Sequence, residues 1–162
     1  MQTALNVQMG EAARTQQAED ELANALTDVL AETYRLESKT HTYHWNVDEM
    51  AFFAISKLTE EQYDNMFDAA ETLASHMQGL GHDAPTRKHD GHDLAEVHGK
   101  TALTTADMMA DLATGHERIC IRLTDLIRLA NDRFDIETGD LAADRLAFHK
   151  QVAWMLREIA AA

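Results

Sequence analysis

The sequence predicts an all-α protein, a four-helix bundle with one long crossover connection, on three observations. The 162 residues include one proline, Pro85, and seven glycines, fewer turn residues than a strand-rich domain of this length needs. Hydrophobic residues make up 45% of the chain, and they recur at spacings of three and four, as on one face of an α-helix. Four such stripes occur, and the polar segment 81–103 separates the second from the third, which indicates a crossover.

The first helix is predicted from an apolar stripe that starts near Asp20 and continues to about His44. Residues 1–19 precede this stripe, and we expect them to form a flexible N-terminal segment. The bundle domain is then expected to occupy residues 20–162.

The second helix is predicted from Phe52 to Leu80, with Gly81 as the stop signal at its C-terminal end. The crossover 81–103 contains "DLAEV", which is long enough for one or two helical turns, so we expect a short helix within it. The crossover is also rich in histidine, which favours either a solvated polar loop or a surface metal site formed by His82, His89, His92 and His98.

The third and fourth helices complete the predicted bundle. "TALTTADMMADL" opens the third helix with Thr104 or Thr105 as its N-cap, and the apolar stripe continues to Ala130. The fourth stripe starts near Thr138 and continues through Ile159.

Composition and charge exclude several classes of function. Lys and Arg total 14 against 28 Asp and Glu, and the formal net charge of −14 repels nucleic acid phosphates and anionic membranes. No apolar run reaches the roughly 18 residues that a membrane span requires. A single cysteine, Cys120, cannot form an intrachain disulfide, so we expect a soluble protein of the cytoplasm.

Two histidines at the end of the first predicted helix are candidate metal ligands. His41 and His44 lie in "THTYHWNV", with Glu37 one turn before His41. Bundles that hold two metal ions within one chain use Glu-x-x-His pairs, and no glutamate here has a histidine three residues later. The remaining ligands must therefore come from elsewhere in the fold.

The second helix presents a further group of candidates. Two carboxylates on this helix, Glu60 and Glu71, are separated by roughly 16 Å along the axis, so one chain cannot bring both to one metal. Two copies packed antiparallel about a two-fold axis would bring Glu60 of one copy to Glu71 of the other. The alternative is an ordinary solvated helix face, the usual role of charge runs. The side chains within about 60° of one another on this face are Ser56, Glu60, Phe67, Glu71 and Ser75.

Five segments spread over roughly residues 20–160 carry a family resemblance: "KTHTYHWNV", "EEQY", "GLGHDAP", "ALTTADMMADL" and "LAFHKQVAWMLREI". Together they resemble the Dps family, the DNA-binding proteins from starved cells, also called mini-ferritins. The resemblance implies a ferritin-like four-helix bundle with a short helix in the crossover, assembled into a hollow homododecamer. It also implies binding of ferrous iron, peroxide-dependent oxidation of that iron, and ferric storage in stress protection. Another divalent metal is the alternative cargo.

The resemblance further implies an inter-subunit ferroxidase centre at a two-fold interface. His44 takes the place of the family's histidine in the His-Trp-Asn motif, and Glu60 takes the place of an acidic ligand on the second helix. Glu71 takes the place of an acid supplied by the partner subunit. Ser56 and Ser75 stand where the family has a histidine and a glutamate, and hydroxyls are poor neutral ligands for ferrous iron.

Two nearby histidines are candidates to compensate for those serines. His41 lies one turn before His44. His76 is adjacent to Ser75 but is turned by about 100° around the helix, so it does not simply replace that side chain.

Three functions follow from these alternatives. The first is a ferroxidase cage with a degenerate centre. The second is a noncatalytic shell with a structural or passive metal-binding role. The third is an unrelated helical bundle, which would be a monomer or dimer without a cavity.

Iron entry and DNA binding are the remaining expectations from the resemblance. Asp140 and Asp135, at the start of the fourth helix, correspond to acidic residues that line a three-fold pore in the family, although capping of that helix is an alternative role. DNA binding through the termini is not expected. Residues 1–20 contain one cation, Arg14, and the C-terminal "REIAAA" adds no basic tail.

Overall fold

The computed structural model describes residues 2–47, 52–85 and 103–162, with side chains for Gln17 and from Glu19 onward. The described residues form four α-helices and no strand, which confirms the predicted all-α fold. The helices are α1 (Gln2–His44), α2 (Phe52–Gly79), α3 (Thr105–Asp132) and α4 (Ile136–Ala161).

Helix α1 begins at Gln2, well before the apolar stripe that starts near Asp20. The segment 1–19, expected to be flexible, is therefore helical from Gln2 onward. Its sequence "QTALNVQMGEAARTQQAE" is rich in alanine and glutamine and lacks proline, so intrinsic propensity favours a helix without an apolar stripe. The division into residues 1–19 and 20–162 stays a prediction.

The predicted stop of α2 is confirmed by the backbone at Gly81. This glycine has a φ of 83°, a left-handed conformation that suits glycine. Its N–H bonds to the carbonyl of Gln78 at 3.0 Å, and the N–H of His82 bonds to the carbonyl of Met77 at 3.0 Å. These two bonds satisfy the last carbonyls of the helix.

The starts of α3 and α4 are set by capping side chains. Thr104 is the N-cap of α3 and forms a reciprocal capping box with Asp107. Asp135 is the N-cap of α4, which begins at Ile136, two residues before the predicted start near Thr138. The carboxylate of Asp135 accepts a hydrogen bond from the N–H of Thr138, so Thr138 lies inside the first turn.

Several sequence predictions lie outside the described residues. These are the short helix in the crossover and the crossover histidines His89, His92 and His98. Within the described ranges, none of the helices combines the length and the apolar character that a membrane-crossing helix requires.

The core consists of two apolar clusters, one toward each end of the bundle. One cluster contains Leu26, Leu30, Leu73, Met77, Ile119 and Leu126, among others. The other contains Tyr43, Met66, Met109, Leu112, Val152 and Leu156, among others. A layer of buried polar side chains, including His116 and His149, falls between the two clusters along α3 and α4.

Polar contacts fix the end of α1 against α3. The Tyr43 hydroxyl donates to Asp111 at 2.7 Å, and Lys39 forms an ion pair with the same carboxylate at 3.0 Å. Burial, followed by the hydrogen bond to Asp111, raises the pKa of Tyr43, so its hydroxyl stays protonated and donates at neutral pH. These contacts hold the C-terminal turns of α1, where His44 lies.

Candidate metal centre

His44 is the last residue of α1, and its ring is buried against the first turns of α2. Its Nδ1 lies 3.0 Å from the backbone carbonyl of Ser56 and 3.1 Å from the hydroxyl of Thr59. A carbonyl oxygen can only accept a hydrogen bond, so Nδ1 carries the proton. The neutral ring therefore presents an unprotonated Nε2, the form in which histidine binds a metal.

Thr59 supports the same assignment. Its hydroxyl donates to the carbonyl of Ile55 at 2.8 Å, which leaves its oxygen free to accept from Nδ1 of His44. A backbone carbonyl on one ring nitrogen of a histidine is a common support for metal binding by the other nitrogen. The Ser56 hydroxyl lies 3.3 Å from Nδ1 and 3.4 Å from Nε2, so this side chain is next to both ring nitrogens, including the candidate ligand atom Nε2.

Aromatic side chains surround His44, and the His41 ring packs on one of them and not on His44 itself. Tyr63 and Trp45 both meet the His44 ring edge-on, with centroid separations of 5.6 Å and 4.7 Å. The His41 ring packs against Tyr63 at 4.7 Å, and its centroid is 6.5 Å from that of His44. His41 is thus placed on Tyr63, at the exposed edge of the site.

Glu60 lies one turn beyond Ser56 on α2 and is partly exposed. Its carboxylate pairs with the ammonium group of Lys57 at 3.0 Å. The pKa of Lys57 is raised, chiefly by this hydrogen bond to Glu60. A cation that binds Glu60 must therefore compete with a lysine that is already present.

Glu71 is exposed farther along α2, where it lines an open groove of about 800 Å³ together with Ser75, His76 and Glu137. The groove runs between α2 and the first turns of α4, and Thr72, Gly79, Leu80 and Leu141 also line it. The exposure of Glu71 leaves its carboxylate accessible to a second subunit.

A metal site within a single chain is incomplete. Among the described residues, no group of three or more histidine, cysteine, aspartate or glutamate side chains lies close enough to hold a metal ion. His44 and Glu60 stay predicted ligands, and a site built on them needs a further ligand from outside the described residues of this chain. This agrees with the geometrical argument that Glu60 and Glu71 of one helix cannot reach the same ion.

His76 belongs to a hydrogen-bonded chain that was not predicted from the sequence. Its Nε2 lies 2.7 Å from the hydroxyl of Thr138, and that hydroxyl lies 2.6 Å from Asp135. Its Nδ1 lies 3.8 Å from the exposed carboxylate of Glu137. The "D-x-x-T" sequence of the α4 cap was the available signal, but its contact with α2 depends on the packing of the bundle.

The two acidic candidates for iron entry occupy different environments. Both carboxylate oxygens of Asp135 accept hydrogen bonds from Thr138, which is the capping role considered as the alternative. Asp140 is exposed on α4. A role for either residue in iron entry stays a prediction.

The buried polar layer was also absent from the sequence-based predictions. Nδ1 of His116 and Nδ1 of His149 are 2.8 Å apart, and burial lowers the pKa of both residues well below 6.5. Arg145 lies over the ring of Phe148 at 4.4 Å and donates to Asn65 at 2.8 Å. Its positive charge further lowers the pKa of both histidines, so the pair is neutral at physiological pH.

Comparison with known proteins gives the class first. The family model described as "Ferritin-like domain" matches residues 23–162, so the chain belongs to the ferritin-like proteins. Within that class it belongs to the Dps family, as the resemblance of its motifs predicted.

Three proteins that are similar to this chain illustrate the comparison. The "DNA protection during starvation protein" of Helicobacter pylori is 29% identical over 133 residues, 81% of this chain and 92% of that protein. An uncharacterized low temperature-induced protein of Nostoc is 31% identical over 138 residues, 83% of this chain and 76% of that protein. The crystal structure of a Dps protein from Vibrio cholerae has a TM-score of 0.76 at 23% identity. It covers 88% of this chain and 90% of that chain, and it is described as a member of a superfamily of ferritin-like diiron-carboxylate proteins.

Proposed function

We propose that this protein assembles into a homododecameric cage that binds ferrous iron, oxidises it with hydrogen peroxide and stores the ferric product. Membership of the Dps family supports this proposal, as does the diiron-carboxylate description of the Vibrio cholerae relative. The name of the Helicobacter pylori relative supports a role in stress protection. We propose a cytoplasmic location, and no DNA binding through termini that lack a lysine-rich or arginine-rich tail.

The observation that carries the proposal is the orientation of His44. The Ser56 carbonyl and the Thr59 hydroxyl fix the proton on Nδ1, so the lone pair is on Nε2. Glu60 follows on the same side of α2, and the hard carboxylate oxygen and the imidazole nitrogen are both suitable ligands for ferrous iron. The proposed site combines His44 and Glu60 of one subunit with Glu71 of the partner subunit.

The exposed face of α2 supports a two-fold contact at this place. Phe67 lies between Glu60 and Glu71 and is 46% exposed, although it is a large apolar side chain. Trp45 and Phe53, at the end of α1 and the start of α2, are 67% and 87% exposed. A subunit contact on this face of α2 would cover such exposed apolar side chains.

The proposed chemistry consumes one peroxide for two ferrous ions. Each ferrous ion gives one electron, and peroxide takes up both electrons and two protons to form two water molecules. Pairing the irons avoids one-electron reduction of peroxide, which would release a hydroxyl radical. The residues at this interface bind and orient the iron, and the His44 ring carries no proton at Nε2 that must be displaced.

A noncatalytic shell with passive metal binding is the second candidate function. Ser56 and Ser75 favour it, because a serine hydroxyl is a weak ligand at each of two positions where the family has stronger ones. The ion pair between Lys57 and Glu60 favours it as well, since it engages a proposed ligand. The two candidates differ in the rate of ferrous oxidation by peroxide.

The first test is an anaerobic ferrous titration of the assembled protein followed by a pulse of peroxide, with ferric absorbance recorded over time. Rapid oxidation with binding at the subunit interface supports the ferroxidase. Stoichiometric binding with oxidation no faster than in buffer supports the passive shell.

A complementation experiment tests whether the site is shared between subunits. His44→Gln and Glu71→Gln subunits each lack one ligand, so cages of either variant alone should lose the site. In cages co-assembled from equal amounts of both, half of the two-fold pairs are mixed, and each mixed pair has one intact site. About a quarter of the sites should return. A site contained within one chain would recover nothing.

A further inference from the structure

The hydrogen-bonded chain Asp135–Thr138–His76 determines which ring nitrogen of His76 carries the proton. His76 also lines the open groove described above. Thr138 has one hydroxyl proton, and its oxygen is 2.6 Å from the carboxylate of Asp135. A carboxylate has no proton to give, so the Thr138 hydroxyl donates to Asp135. Its oxygen must then accept the hydrogen bond from Nε2 of His76, 2.7 Å away.

The proton on Nε2 leaves Nδ1 of His76 as the nitrogen with a free lone pair. This atom lies 3.8 Å from a carboxylate oxygen of Glu137. In the neutral ring both atoms offer lone pairs, so a cation between them would be bound by both. With bonds of about 2.1 Å to nitrogen and to oxygen, a gap of this size holds a divalent cation at an angle of about 130°.

We propose that Nδ1 of His76 and the carboxylate of Glu137 bind a divalent cation, in a site separate from the two-fold centre at His44. The Asp135–Thr138 pair orients the ring from the other side, as carboxylate and hydroxyl partners do for metal-binding histidines. The side chain of His76 is 10% exposed, whereas that of Glu137 is 86% exposed. The imidazole is therefore held in place, and the carboxylate moves to complete the geometry.

The groove supplies the remaining coordination positions. Its volume of about 800 Å³ admits several water molecules, and Glu71 lines it one and a half turns before His76. The two residues are separated by roughly 7.5 Å along the axis of α2, so Glu71 adds negative potential without being a direct ligand. Two protein ligands completed by water give a weak site from which the ion exchanges readily.

The site is formed within one chain, so it does not depend on the proposed function of the two-fold centre. A cation here would lie in the same groove as Glu71, the residue proposed to serve the centre of the partner subunit. In this proposal His76 is a metal ligand, whereas Ser75, its neighbour on α2, is not a ligand of the site.

The test is a titration of the assembled protein with Co²⁺, measuring bound ions per subunit by equilibrium dialysis. His76→Gln and Glu137→Gln should each lose one ion per subunit, or weaken its binding at least tenfold. Glu158→Gln, which removes an exposed carboxylate elsewhere on α4, is the matched control and should retain that ion. His44→Gln should also retain it, because that variant affects the two-fold centre alone.

Thr138→Val tests the positioning of the ring. It removes the hydroxyl that holds the Nε2 proton but keeps His76 and Glu137, so it should weaken Co²⁺ binding by several-fold. Anomalous diffraction from Co²⁺-soaked crystals should show a peak between His76 and Glu137 in the wild type. Full Co²⁺ stoichiometry and affinity in either His76→Gln or Glu137→Gln would overturn the proposal.

Discussion

His116 and His149 face each other across the contact between α3 and α4, with their Nδ1 atoms 2.8 Å apart and both rings buried. At this distance one Nδ1 donates a proton and the other accepts it, so the pair forms a hydrogen bond when both rings are neutral. Burial is the main cause that lowers the pKa of each ring, and the nearby Arg145 lowers both further. The hydrogen bond in this layer, which joins the two apolar clusters, therefore forms only when both histidines are uncharged.

Acidification should destabilise the protein through this pair. Below pH 6.5 the two histidines take up protons in the unfolded chain, whereas in the folded chain their lowered pKa values keep them neutral. The unfolded state then binds more protons, so the free energy of unfolding falls as the pH falls, by about 3 kcal/mol for the two together between pH 7.5 and pH 5.5. Urea unfolding at pH 7.5 and 5.5 measures this change.

Matched variants isolate the contribution of the pair from that of other groups. His116→Leu/His149→Leu removes both titrating rings and should remove most of the difference between pH 7.5 and pH 5.5. His41→Gln changes an exposed histidine and should keep the wild-type difference. An equal pH dependence in the wild type and the double leucine variant would show that the pair does not control acid stability.

Thr104→Ala should lower the free energy of unfolding by about 1 kcal/mol, the usual effect of losing an N-cap. The Thr104 oxygen accepts from the N–H of Asp107 at 3.1 Å, and the Asp107 carboxylate accepts from Thr104 in return. Thr105→Ala is the control, because the sequence alone allowed either threonine as the cap. Thermal unfolding of both variants decides between them, and an equal loss in both would contradict the assignment of Thr104.

Lys57→Gln should strengthen the binding of a divalent cation at the two-fold centre several-fold. The substitution removes the ammonium group that holds Glu60 at 3.0 Å and repels an incoming cation. Lys150→Gln, a change of the same charge at an exposed position on α4, is the control for the general charge of the assembly. Anaerobic ferrous titration gives the two affinities, and an equal gain in both variants would assign the effect to net charge.

Helix boundaries could be predicted from the sequence wherever local chemistry determines them. Gly81 ends α2 because a left-handed residue is needed there, and a threonine begins α3 because its side chain caps the helix. The start of α1 was not predicted, since residues 2–19 are helical by propensity without the apolar stripe on which the prediction depended. The start of α4 shifted by two residues because Asp135, and not a later residue, is its cap.

The candidate site was predictable in part. His44, Glu60 and Glu71 follow from motif resemblance and helix geometry, and the hydrogen bonds of His44 are consistent with a ligand role. The His116–His149 pair joins residues on different helices, and the His76–Thr138 contact does the same. Neither contact has a periodic signal, because the residues meet through packing of helices that are distant in sequence.

Restoring the family's ligand types should accelerate iron oxidation if the serines are what weaken the centre. Ser56→His places an imidazole where the hydroxyl now lies 3.4 Å from Nε2 of His44, and the Ser56 carbonyl that orients His44 belongs to the backbone and is retained. Ser75→Glu adds a carboxylate one turn after Glu71, in the same groove. The double variant should oxidise ferrous iron with peroxide at least tenfold faster, corresponding to about 1.4 kcal/mol in the activation barrier.

The control for this gain is Thr124→Glu, which adds one negative charge at an exposed position on α3. Stopped-flow ferric absorbance at equal iron loading compares the wild type, the control and Ser56→His/Ser75→Glu. A gain confined to the double variant means that ligand number limits the wild-type centre. If the wild type already oxidises iron as fast as the double variant, the serines do not limit the reaction, and another residue completes the coordination at the interface.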